Sequence, residues 1–352
     1  MKAEKNVIAN LSKCYSIAPL YYRGEEHFLV AAEKKDRCLL FDLSGKLVDT
    51  VWFGPGGTMN MVQIPESDGQ FLAIQKFYSP NDSREAKIVV VTPVSEGNWE
   101  VKTLAVIPHV HRFDIITRGE TRYLIVCTLK SAHQYKDDWS VPGKVYAAEL
   151  SADLTEYDEN HQLDLTVVKE GMLKNHGYSK YCGDESEKAL ISCNEGVFLF
   201  TPPAEKGSGW SIEQLLSEPA SDAVLLDLDE DGTCELCTFS PFHGDKISVY
   251  KKRGEQYDEV YVYPEAAEFS HAIGGAVICG KPVFITGYRQ GKRRLMAIYY
   301  DQSSKSYRAE IIDEGRGPAN VFYYAKEGDD ILIAANRETD EVAMYKIERL
   351  ED

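Results

Sequence analysis

Three histidines stand in matching surroundings along the chain: His111 in "IPHVHRFDIIT", His176 in "LKNHGYSKYCG" and His271 in "EFSHAIGGAVI". Each follows a polar turn and precedes a run that reads as a strand. A neutral imidazole offers one bare ring nitrogen to a metal and can also carry a proton near neutral pH. A lone strand-edge histidine is ordinarily a hydrogen-bonded structural residue. Three at the same place in a repeating unit describe a site, provided that the repeat exists.

The elements that must position them are strands. Nearly every stretch is a short apolar or alternating run punctuated by Gly, Asp, Asn and Pro, and helical periodicity is confined to the brief window "WSIEQLLSE". Self-similarity recurs about every 50 residues. Each unit opens with one strand, continues through central strands such as "FLVAAEKKDRCLLFD", and ends in an outer strand. Units open near residues 14, 58, 110, 176, 221, 271 and 319 of the 352. Seven such units predict an all-β fold: a seven-bladed β-propeller of four-stranded blades, one domain over 1–352. The last unit lacks an outer strand while "KNVIANL" precedes the first, so the N-terminal strand is expected to close the ring. Two β-sandwiches would need a linker near the middle, and no Pro/Gly/Ser-rich stretch supplies one.

Inner strands of a propeller line its central channel. Aligned on them, His111, His176 and His271 fall at strand mouths in the third, fourth and sixth units, with Asn320 at the matching place in the seventh. The four side chains are expected to converge on one end of the channel, the histidines as ligands of a divalent metal or as acid/base groups. The same face receives the loops between second and third strands. These carry Lys76, Tyr78, Lys130, His133, Tyr135 and Trp139, and further along His243, Arg289 and Arg337. On a chain with 39 Lys and Arg against 56 Asp and Glu, such a gathering suits an anionic or oxidised sugar.

The net charge of -17 repels phosphate backbones and anionic bilayers, so neither nucleic acid nor membrane is an expected partner. No stretch approaches the roughly 20 apolar residues of a membrane helix, and no signal-peptide core opens the chain, so a cytoplasmic protein is expected. The eight cysteines are scattered, mostly in apolar runs, as free thiols in a reducing compartment would be. "CELC" has CxxC spacing, but on a strand its two thiols face opposite sides. No GxSxG, HExxH or phosphate-cradling glycine loop is present.

In "VLLDLDEDGTCELCTF", Asp227, Asp229 and Asp231 alternate, Gly232 permits a tight turn, and Glu235 follows. Oxygen ligands so spaced suit calcium, in a structural loop on the face opposite the histidines; an empty Asp-Gly hairpin is the plain alternative. This motif resembles FG-GAP/VCBS-type propellers. "SPFHGDKISVY", with "KNHGYS" and "FSHAIGG", is similar to sugar-active seven-bladed propellers, the aldos-2-ulose dehydratases and rhamnose-glucuronate lyases. That resemblance implies elimination chemistry, with His111, His176, His243 and His271 on the active face. The residues available suit it. A metal, Arg289 or Arg337 would neutralise a uronate carboxylate, while His243 and His133 would move protons with Tyr135 or Tyr78 as partner. Lys76, Lys130, Trp139 and Asn320 would hold the sugar. The rival is a non-catalytic propeller that binds sugar or protein.

Overall fold

The central strands are short runs of continuous apolar sequence such as Phe71–Gln75, "FLAIQ", buried on both faces. Alternation along a strand sends successive side chains to opposite sides. Phe71 and Ala73 accordingly pack toward the preceding sheet and Leu72 and Ile74 toward the following one. A sheet apolar on both faces must be sandwiched between two others, and a closed ring of sheets satisfies that everywhere.

The protein forms that ring. In this computed structural model, which describes residues 2–183, 186–205 and 207–348, seven antiparallel sheets follow one another as blades. Their inner strands are Cys14–Tyr22, Met61–Gln63, Val110–Arg118, Gly177–Cys182, Asp222–Leu226, Ser270–Ile278 and Asn320–Lys326, in blades 1 to 7. Each inner strand touches the next, and the seventh touches the first. The hydrophobic core is divided accordingly into clusters between adjacent blades, including one joining blade 7 to blade 1. Blade 3 carries an added short strand, Lys130–Ala132, against its third strand.

Ring closure is by the N-terminus. Lys2–Asn10 pairs antiparallel with Glu341–Glu348 and becomes the outer strand of blade 7, so the first and last strands share one blade. The one window with helical periodicity is extended: Ser211–Leu216 is the outer strand of blade 4, and no described residue is helical. No helix is therefore long and apolar enough to cross a membrane among the described residues. All eight cysteines are free; Cys237 is buried, whereas Cys234 is half-exposed.

Three of the inner strands begin with an irregularity that matters for function. In blades 1, 3 and 6 the register slips between Cys14 and Ser16, Val110 and Arg112, and Ser270 and Ala272. The extra residues are Tyr15, His111 and His271. A bulge leaves one residue unpaired and re-aims its side chain, here into the mouth of the channel.

Candidate functional site

His176 is the centre of the site. Gly177 follows it and lies so close to blade 5 that a Cβ there would stand 2.5 Å from the Ser221 carbonyl oxygen. That approach brings Asp222 of blade 5 to His176, with Oδ2 2.9 Å from Nδ1. A carboxylate accepts, so Nδ1 carries the proton and Nε2 is bare. The pair is buried, and the Ser221 hydroxyl donates to the same carboxylate oxygen at 3.1 Å.

Two more imidazoles are fixed in the same tautomer by backbone carbonyls. His271 Nδ1 donates to Ala319 O at 2.7 Å, and His111 Nδ1 donates to His176 O at 3.2 Å. Their Nε2 atoms are therefore acceptors. Tyr15, fully enclosed at the matching bulge of blade 1, donates its hydroxyl to His271 Nε2 at 3.1 Å. The His111 ring lies 4.4 Å from that of His176.

The fourth imidazole comes from a loop. His243, between the second and third strands of blade 5, is stacked between Phe242 at 3.9 Å and Phe269 at 4.2 Å. Both His243 and Phe269 have left-handed backbones, with φ of 50° and 60°. Non-glycine residues are uncommon there, and such strain gathers at functional sites. This conformation brings His243 Nε2 to 3.3 Å from His176 Nε2. Ligand nitrogens of His176, His243 and His271 all lie within 4.8 Å of one another.

Burial holds three of these imidazoles neutral, and close neighbours add to it. For His111 these are the His176 ring and the Arg112 guanidinium; for His271, the Arg289 guanidinium and the His176 ring. Burial, then His176, Arg289 and Lys174, keeps His243 well below the usual histidine range. Neutral imidazoles with bare nitrogens suit metal ligation or proton abstraction.

The cavity above them has a volume of about 350 Å³ and is walled by Phe77, Trp139, Phe242 and Phe269 with Arg289 and Arg337. Both arginines are committed to carboxylates. Arg289 donates to Glu338 Oε1 from Nε at 2.9 Å and Nη2 at 2.7 Å, and Arg337 is paired with Glu33 and with Glu338. Burial opposes ionisation of Glu338, yet the two guanidiniums hold its carboxyl below its ordinary range.

The predicted residues thus divide. His111, His176, His243, His271, Trp139, Arg289 and Arg337 share this cavity. Lys76, Tyr78, His133 and Tyr135 line an adjoining hollow of about 540 Å³. The two hollows meet at Asn81, whose Nδ2 donates to Asp137 Oδ1 at 2.8 Å. Lys130 is buried, its ammonium 3.0 Å from Asp138 O and 4.5 Å from the Trp139 ring centre. Asn320 holds the aligned position, but its Oδ1 accepts from the Val321 amide at 3.1 Å and it is absent from the cavity wall. Asp222 and Tyr15 are the positions that alignment on histidine passes over; Tyr15 sits in register with the histidines, and Asp222 one residue beyond that register.

At the far end of the blade 5 inner strand, the carboxylates expected to hold calcium gather, with an ammonium among them. Lys251 Nζ contacts Asp229, reaches Asp231 Oδ2 at 2.7 Å and Glu235 Oε1 at 3.2 Å. Asp227 caps the turn, accepting from the amides of Asp231 and Gly232 at 3.1 and 2.8 Å. Carboxylate oxygens of Asp227, Asp229 and Glu235 also lie within 4.8 Å of one another, the grouping a bound cation requires, with the Lys251 ammonium beside them.

No protein-family model matches the chain, and no curated protein matches it. Among solved structures it is similar to the Dos1 propeller, with a TM-score of 0.56 at 8% identity over 95% of this chain and 78% of that one. At that identity the likeness shows the fold alone, a seven-bladed propeller. The resemblance to FG-GAP/VCBS propellers and to sugar lyases finds no sequence match beside it.

Proposed function

We propose that the channel mouth is a transition-metal site in a propeller enzyme that acts on a carboxylated sugar by β-elimination. The observation that carries the metal is the approach of two imidazole nitrogens. Ligands about 2.1 Å from a tetrahedral zinc lie about 3.4 Å apart, and His176 and His243 Nε2 are 3.3 Å apart. Asp222 behind His176 and the Ala319 carbonyl behind His271 are the outer acceptors that metal-bound histidines ordinarily have. Imidazole-rich sites favour first-row divalent transition metals over calcium.

A cation bound by His176, His243 and His271 would supply Lewis acidity toward the sugar carboxylate, lowering the energy of the enolate-like transition state. The chain's own residues do the rest. Tyr15 now occupies the lone pair of His271 and is released when that nitrogen turns to a metal. His111 keeps a bare Nε2 beside the ligands. His111 takes the proton from the carbon next to the carboxylate on its bare Nε2. The C–H electron pair forms the C=C bond as the bond from the neighbouring carbon to the glycosidic oxygen breaks, and Tyr15 gives its hydroxyl proton to that oxygen. The proton-transfer roles expected of His133 and Tyr135 pass to Tyr15 and His111, because the former line the neighbouring hollow. The aromatic wall excludes water and faces the sugar.

A second reading, a binding propeller without catalysis, is favoured by the two arginines already satisfied by Glu33 and Glu338. The two readings separate in one assay. Incubation of the metal-loaded protein with uronate-containing oligosaccharides produces the ultraviolet absorbance of a conjugated unsaturated uronate if elimination occurs. Retention of the oligosaccharide on the protein with no such absorbance selects the binding module.

A further inference from the structure

Lys174 lies two residues before His176 and belongs to none of the groups above. Its ammonium stands 5.6 Å from the ring centre of Trp139 and 5.3 Å from that of Phe242, two walls of the histidine cavity. Among the described residues it makes no hydrogen bond or ion pair. Most other cations of this face are engaged: Arg289 and Arg337 by carboxylates, Lys76 by Glu85 at 3.1 Å, and Lys130 by a backbone carbonyl, while Lys136 of the adjoining hollow has, like Lys174, no such partner among the described residues.

The difference is chemical. A carboxylate partner neutralises a cation, whereas an aromatic face positions an ammonium through its quadrupole and leaves the charge whole. Glu33, Asp137 and the Glu338 that bonds both arginines stand against Arg289 and Arg337, and Lys174, beside the aromatic wall, brings the third positive charge without a carboxylate of its own. Its backbone is also set in place. The residue adopts φ 53°, the Leu173 amide donates to Glu195 Oε2 at 2.8 Å, and buried Asn175 donates to Lys144 O at 3.1 Å. The connection between the second and third strands of blade 4 is only Asn194 and Glu195, so no long loop from that blade rises beside it.

We propose that Lys174 is the group that selects an anionic ligand at this site, forming the ion pair with the carboxylate of a hexuronate glycoside. This rests on the sugar-elimination reading for the ligand class, while the metal at the histidines is independent of it. Lys174 binds and orients the carboxylate and takes no part in proton transfer. A charge-assisted hydrogen bond of this kind contributes on the order of tenfold or more in affinity.

The test uses two probes on the metal-loaded full chain, methyl β-D-glucuronide and methyl β-D-glucoside, followed by calorimetric titration. Metal content is measured on the same samples. The proposal expects the glucuronide to bind about tenfold or more tightly than the glucoside. That preference disappears in Lys174→Gln, survives in Lys174→Arg, and weakens with added salt, while metal content and melting temperature stay at the parent values. Equal affinity for the two probes, binding of neither, or a Lys174→Gln variant that still prefers the glucuronide overturns it. Loss of metal from the parent protein counts against the metal reading and leaves the carboxylate preference to be read on its own.

Discussion

Replacing Asp222 by asparagine removes a charge while keeping a side chain that can accept from His176 Nδ1. The pair is almost wholly excluded from water, with side-chain exposures of 1% for His176 and 5% for Asp222, so solvent does little to screen the loss. Two scales bound the effect. Hydrogen bonds to charged groups contribute about 1.5–3 kcal/mol. Loss of the partner behind a metal-bound histidine typically costs about 10–100-fold in metal affinity, or roughly 1.4–2.7 kcal/mol. The Ser221 carbonyl, 3.3 Å from the same nitrogen, remains as a weaker acceptor and puts the expected loss near the lower end, about tenfold. Titration of metal-free parent and Asp222→Asn protein with zinc reads it directly, and melting in the absence of metal controls for folding. An Asp222→Asn protein that binds zinc as tightly as the parent would refute the reasoning, because it would mean that the His176 tautomer does not set ligand strength.

Four further outcomes follow from the same geometry. Tyr15→Phe leaves zinc bound at least as tightly, since the hydroxyl no longer competes for His271 Nε2, while elimination falls by at least tenfold; parental turnover would remove Tyr15 from the chemistry. Deleting residues 2–10 strips the outer strand of blade 7, and at about 1 kcal/mol per ladder hydrogen bond this costs several kcal/mol, read as a large fall in melting temperature; a truncated protein that melts like the parent contradicts N-terminal closure. Burial, with His133, Lys130 and Arg84 nearby, holds His109 down at about 4 against 6.5 for an ordinary imidazole. The unfolded chain takes up that proton first, so about 3 kcal/mol of stability present above pH 6.5 is lost as pH falls toward 4; His109→Gln flattens this part of the denaturation profile, and an unchanged profile would assign the acid sensitivity elsewhere. Calcium leaves the melting temperature of the parent unchanged but raises that of Lys251→Met, in which the ammonium no longer sits among the carboxylates; stabilisation of the parent by calcium would reverse this assignment.

The fold was legible because it is periodic. Strand runs such as "FLAIQ" and "YLIVC" recur at a near-constant spacing, and the missing outer strand of the last unit pointed to the N-terminus as its donor. The histidines were legible because they recur at one strand position, although the bulges that aim Tyr15, His111 and His271 have no sequence signature of their own. Tyr15 shared that position and was passed over because the search was for one residue type, while Asp222 lies one residue beyond it. Contacts across the ring were hidden altogether. Arg337 reads as a free rim cation until Glu33, 304 residues away, is seen beside it, and the Lys251 ammonium among the carboxylates of the Asp-rich loop has no signal in the sequence. Lys174 was invisible for the opposite reason: its significance lies in standing against two aromatic walls of the cavity without a carboxylate partner.

The central claim is that His176, His243 and His271 hold one divalent transition metal at the channel mouth. Cobalt(II) titration of the metal-free protein, followed by the visible absorbance of the bound ion, tests it most directly alongside the His243→Ala variant. The account predicts one cobalt per chain with the intense bands of a low-coordinate nitrogen site, both lost in His243→Ala while the fold persists. A parent protein that binds no cobalt, or a His243→Ala variant with the same stoichiometry and spectrum, would contradict it.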